Sequence, residues 1–183
     1  MLGICPQISQ AGFITFVATL APEATGATGT GFAQVDFDIV AHQMRVQVSF
    51  SGLSGNTTVA HIHGPTSQKG IGTAGVMTTT PTFLGFPAGV KFGTYDVTLD
   101  TLASGTYRAG FITASGGTTA LAEAAMYASL LDGKAYLNIH SSTFPGGEIR
   151  GFLNAVPEPT SLTSLAIGAV GLLLARRRFV KRK

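Results

Sequence analysis

Between residues 12 and 154 the chain is dominated by a two-residue alternation of apolar and polar side chains. Val35, Phe37 and Ile39 alternate with Gln34, Asp36 and Asp38; after a short connection, Val46, Val48 and Phe50 alternate with Arg45, Gln47 and Ser49. Successive side chains of a strand point to opposite faces, so this pattern predicts an antiparallel hairpin with one buried and one wet face. Gly12–Leu20 reads as a strand before it. Ser51–Asn56, with Gly52 and Gly55, reads as a turn after it. Thr57–His63, a segment holding Tyr95, Val97 and Leu99, Ala135–Ser141 and Glu148–Leu153 supply the remaining strands. One stretch breaks the alternation. Leu121–Leu131 is rich in helix formers and free of Gly and Pro, and Asp132-Gly133 ends it. One short helix among seven or more strands predicts a mainly β domain, an antiparallel sandwich or Greek-key barrel.

The pattern changes after residue 154. From Pro159 to Ala175 there are 17 uncharged, mostly apolar residues. As a helix they would extend about 25 Å at ~1.5 Å per residue, the short end of a bilayer span. Arg176, Arg177 and Arg178 follow directly. Long basic side chains can snorkel to the interface, and the positive-inside rule places this end in the cytoplasm and the body outside. A buried core helix has no use for three consecutive arginines. Val156-Pro157-Glu158-Pro159, the apolar stretch and the arginines, in that order, closely resemble the PEP-CTERM sorting signal of Gram-negative bacteria. The resemblance spans residues 156–183 and assigns recognition to Pro157, Glu158 and Pro159. It implies export, inner-membrane anchoring, cutting near Pro-Glu-Pro by an exosortase-type enzyme, and delivery to a cell surface rich in extracellular polysaccharide. The expected division is therefore an N-terminal segment (1–11), a β-domain (12–154) and a sorting tail (155–183) with a transmembrane helix over 159–175.

Composition sharpens this division. The formal net charge is +3, but six of the 12 basic residues lie in the last eight positions, so residues 1–175 carry a net −3. The body thus lacks the basic field that nucleic-acid binding requires. The single cysteine, Cys5, excludes an intramolecular disulfide and reads as an incidental thiol. Met1–Leu20 has no basic leader region, so the expected export signal lies upstream of Met1.

Two segments carry candidate chemistry: Ala60-His61-Ile62-His63-Gly64-Pro65, and Tyr136-Leu137-Asn138-Ile139-His140-Ser141-Ser142 followed by Phe144-Pro145-Gly146-Gly147-Glu148-Ile149-Arg150-Gly151-Phe152. On strands, His61 and His63 share one face, as do Tyr136, Asn138 and His140. If the strands are neighbours, three of the four histidines gather in one patch. The fourth, His42, lies in a hairpin connection and reads as a surface residue. Two histidines at i and i+2 can ligate one metal, and a third from an adjacent strand completes a His₃ site. Superoxide dismutases use a histidine pair of this spacing on a β-barrel, which points to copper or zinc. The other reading of His61, His63, His140 and Asn138 is a hydrogen-bonded structural network. Glu148 and Arg150 would form an ion pair or anchoring set, with Phe144–Gly147 as the turn before them. With no Trp in the chain, sugar stacking would fall to Tyr or Phe, with Tyr95, Tyr107 and Tyr136 available. No nucleophile elbow, phosphate loop or Cys–His pair is present, so the chain does not read as an enzyme.

These segments resemble the CHRD domain, named from chordin and widespread in exported bacterial proteins. The resemblance covers roughly residues 14–153 and implies an immunoglobulin-like sandwich or barrel; it transfers no catalytic set. The expected function is an exported structural or interaction module that binds a surface protein or polysaccharide. The alternative is a copper- or zinc-binding, redox-type β-barrel using His61, His63 and His140.

Overall fold

The computed structural model describes residues 14–157. In chain order the strands are β1 (Ile14–Pro22), β2 (Thr30–Asp38), β3 (Gln43–Ser51), β4 (Thr57–His63), β5 (Gly93–Asp100), β6 (Tyr136–Ser141), β7 (Ile149–Phe152) and β8 (Asn154–Ala155). Two helices, α1 (Ala109–Ala114) and α2 (Thr119–Leu131), lie between β5 and β6. All pairings are antiparallel, in the order β4-β6-β7-β1-β2-β3-β5, with β8 added to β1. The result is a mainly β half-barrel. β1 is its spine: Ile14–Leu20 pair with β2, while its other edge takes β8 at Phe16 and Val17 and β7 at Ala21 and Pro22.

The alternation read from the sequence sets the core. Phe16, Ala18 and Leu20 of β1, Ala33, Val35 and Phe37 of β2, and Met44, Val46, Val48 and Phe50 of β3 all point inward. Ala60, Ile62, Leu137, Ile139 and Ile149 line the opposite wall. The outer face of β2–β3–β5 is wet, and Arg45 grips Asp96 there through two hydrogen bonds of 2.7 and 2.6 Å.

An antiparallel sandwich or Greek-key barrel was expected, but among the described residues the edge strands β4 and β5 do not pair with each other, leaving a half-barrel. The long connection between them fills the gap. Met77 N–H bonds the Ile62 carbonyl (2.9 Å), Phe83 N–H bonds that of Ala60 (3.2 Å), and the Phe83 and Phe86 rings pack on Tyr95. Pro65, Pro81 and Pro87 lack backbone N–H groups, so this segment edges the sheet without becoming a strand.

The helical region also departs from expectation: there are two helices rather than one. α2 starts earlier than predicted, with the Thr118 hydroxyl accepting from Leu121 N–H. It buries Ala122, Met126 and Leu130 at helical spacing, and Tyr127 packs on Phe37 (5.2 Å). It also buries Glu123, whose carboxylate accepts from His42 Nδ1 (2.9 Å) and from the Thr101 hydroxyl. His42 is therefore not a free surface residue. Its ring is half-exposed, but it ties the β2–β3 hairpin to α2 from a left-handed backbone (φ 55°).

The predicted transmembrane helix 159–175, Glu158, Pro159, Arg176–Arg178 and Cys5 lie outside the described residues. Among the described residues, no helix is long and apolar enough to cross a membrane. Pro157 is exposed at the end of the domain.

Candidate functional site: a three-histidine cluster

β4 and β6 are neighbours, which meets the condition for the three histidines to gather. Their register sets His61 opposite Asn138, His63 opposite Tyr136 and Val59 opposite His140. β7 extends the same row, with Arg150 opposite Asn138 and Phe152 opposite Tyr136. The aliphatic partners Ala60, Ile62, Leu137 and Ile139 face the core, so the cluster sits on the outer side of this wall. Loops cover it: His61 is only 6% exposed and Asn138 only 3%.

Each imidazole is oriented by a backbone carbonyl. His61 Nε2 lies 2.5 Å from the Pro81 oxygen, His63 Nδ1 3.0 Å from that of Ala74, and His140 Nδ1 2.9 Å from that of Pro145. A carbonyl only accepts, so these nitrogens carry the protons. In the neutral rings the lone pairs then fall on His61 Nδ1, His63 Nε2 and His140 Nε2. Those three atoms are buried and without a hydrogen-bond partner. One ligand atom from each ring lies within 4.8 Å of the other two. Burial, outweighing the carbonyl contact, pushes His61 down to about 4 and moves His63 in the same direction.

The surroundings are polar and largely paired. Glu23, just past β1, takes Arg150 Nε (3.1 Å) and the Asn138 amide Nδ2. The Arg150 guanidinium lies over the Tyr136 ring (5.1 Å) and donates to the Gly72 carbonyl (3.1 Å). Tyr136 in turn stacks on His63 (4.9 Å between ring centres). Gly147 has φ +128°, and a Cβ there would collide with the Glu23 carboxylate and the Asn138 amide. Gly151 is required by contact: its Cβ would strike the Thr19 carbonyl of β1.

The remaining motif residues frame the site. Gly64 and Pro65 join β4 to the covering loop. The Phe144–Gly147 turn closes through Gly147 N–H to the Phe144 carbonyl (3.1 Å), and exposed Gly146 sits at its tip. Glu148 and Arg150 do not pair with each other. Glu148 is fully buried and accepts from the Ser54 and Gly55 amides of the β3–β4 turn. Burial would raise its pKa, but hydrogen bonds from Ser141, Ser54 and Gly55 prevail and hold it low. Tyr95, Tyr107 and Tyr136 are all buried, so none presents an open ring for sugar stacking.

Sequence reasoning missed Glu23 and the three orienting carbonyls. Glu23 lies 115 residues from Asn138, and only the β1–β7 pairing at Ala21 and Pro22 brings it near.

No curated protein and no solved structure matches the chain. The family model for the PEP-CTERM protein-sorting motif matches residues 155–178, marking the chain for export, exosortase-type processing and sorting to the cell envelope or surface. Neither this motif nor the β-domain's family is enzymatic. The family model for the CHRD domain matches residues 16–153, which hold most of β1, β2 through β7 and the histidine cluster, and the chain therefore belongs to the CHRD domain family.

Proposed function

We propose that this chain is an exported interaction module, held in the inner membrane by its C-terminal segment with the β-domain outside, and passed to the surface after cleavage near Pro157. The sorting motif over 155–178 is the observation that carries this reading. At the other end of the described fold, a groove of about 720 Å³ runs over Thr30, Phe32, Ser49, Ser51, Phe92 and Thr94. Its exposed phenyl rings and hydroxyls, without a charged side chain, suit a neutral polysaccharide. Neutralising Arg176–Arg178 should misorient or release the protein in cell fractionation and protease-protection assays. Unchanged topology would contradict the anchoring.

A second reading is supported by the three unpartnered ring nitrogens: the domain holds one copper or zinc ion on His61, His63 and His140. The carbonyl contacts of the other ring nitrogens are the usual outer support of metal-ligating histidines. An ion at ~2.0–2.1 Å from each nitrogen would have to draw the rings together from their present spread of up to 4.8 Å. Titration of the full chain with Cu²⁺ and Zn²⁺ should give one site, abolished in the His61→Ala/His63→Ala/His140→Ala variant. Absence of binding by the folded chain would leave the histidines structural.

A further inference from the structure

Only five buried side-chain polar atoms lack a hydrogen-bond partner among the described residues, and four belong to this cluster: His61 Nδ1, His63 Nε2, His140 Nε2 and Asn138 Oδ1. All four are acceptors. Three are imidazole lone pairs with their tautomers fixed by backbone carbonyls. The fourth is an amide oxygen whose orientation is fixed because Asn138 Nδ2 donates to Glu23. Asn138 is the ladder partner of His61 and shares the strand face of His140, two residues on. A buried acceptor left unpaired costs free energy, and four in one patch call for a common partner. A single water has two donor hydrogens for four acceptors, so water alone would need at least two molecules in the patch. A metal ion with one bound water satisfies all four: the ion takes the three nitrogen lone pairs, and the water donates a hydrogen to the amide oxygen.

We infer that the cluster is an open His₃ centre whose fourth ligand is an exchangeable water held by Asn138, rather than a closed structural site. This inference rests on the metal reading of the same histidines. Open fourth positions distinguish zinc and copper centres that take exogenous ligands from structural sites, in which the protein supplies all four. The Glu23–Arg150 pair then acts at one remove. Glu23 sets the amide of Asn138, and Arg150 holds Glu23 in place. Glu23 and Arg150 are positioning residues here and Asn138 is the contact to the bound water.

The test is electron paramagnetic resonance of the Cu²⁺-loaded full chain in ordinary and ¹⁷O-enriched water. The expected result is one copper per chain with lines broadened by ¹⁷O. In Asn138→Leu, copper should still bind at one per chain, with the ¹⁷O broadening lost or the spectrum visibly changed. Copper bound without broadening in the unaltered chain would overturn the open-site inference while leaving the metal reading intact. A spectrum and broadening unchanged in Asn138→Leu would overturn the role of Asn138. Failure of the folded chain to bind copper at all would overturn the metal reading and this inference with it.

Discussion

His61 stays neutral near physiological pH because burial pushes its pKa down to about 4, against 6.5 for a free imidazole. Between those values the unfolded chain takes up a proton that the folded chain refuses. Stability is therefore complete above about pH 6.5 and falls as the pH drops toward 4. Two pH units of this difference correspond to about 2–3 kcal/mol. In metal-free protein, urea denaturation at pH 7 and pH 4.5 should show a loss smaller by that amount in His61→Ala than in the unaltered chain. Equal losses would contradict the buried neutral ring. The histidine trio was legible in the sequence because i and i+2 spacing on a strand leaves little freedom. Glu23 was not legible, since no local pattern marks a residue joined to its partners only through a distant pairing. That Glu148 and Arg150 do not pair with each other was hidden for a related reason: Glu148 precedes β7 and reaches back to the β3–β4 turn, while Arg150 turns to β1's end.

At the scale of elements, the β3–β4 turn depends on the buried Glu148 carboxylate. Glu148→Ala would leave the Ser54 and Gly55 amides without acceptors, at about 1–3 kcal/mol for each group left buried. Chemical denaturation should show that loss; a change below 0.5 kcal/mol, an order-of-magnitude threshold for surface sites, would mean the turn is held by other contacts. The long strands were readable because one face of each is buried, which writes a period of two into the sequence. Val97 and Leu99 follow that pattern, yet they are only partly buried because β5 is an edge strand. α1 was missed because six residues that include Gly110, Ile112 and Thr113 carry little helix propensity and bury none of their side chains fully. α2 was visible from its composition, but not the carboxylate it buries against His42 and Thr101. That contact depends on where β2–β3 and the end of β5 arrive in space.

Across the whole molecule, the CHRD half-barrel and the sorting tail are separable by composition: a body of net charge −3, then an apolar stretch ending in basic residues. Deleting residues 156–183 should give a soluble chain that keeps its β-type circular dichroism, and aggregation would place the domain boundary elsewhere. The fold class was legible at the level of an antiparallel mainly β domain. The half-barrel was not, because it depends on β1 serving β2 along one edge and both β7 and β8 along the other, and on the proline-rich connection filling the gap between β4 and β5. That same connection supplies two of the carbonyls that aim the histidines, so the architecture and the site share one cause. The most direct test of the site is anomalous diffraction from crystals of the protein grown with Cu²⁺ or Zn²⁺. A metal held by the trio should give one strong peak about 2.0–2.1 Å from His61 Nδ1, His63 Nε2 and His140 Nε2. Fully formed crystals with no peak among those three nitrogens would contradict the metal reading.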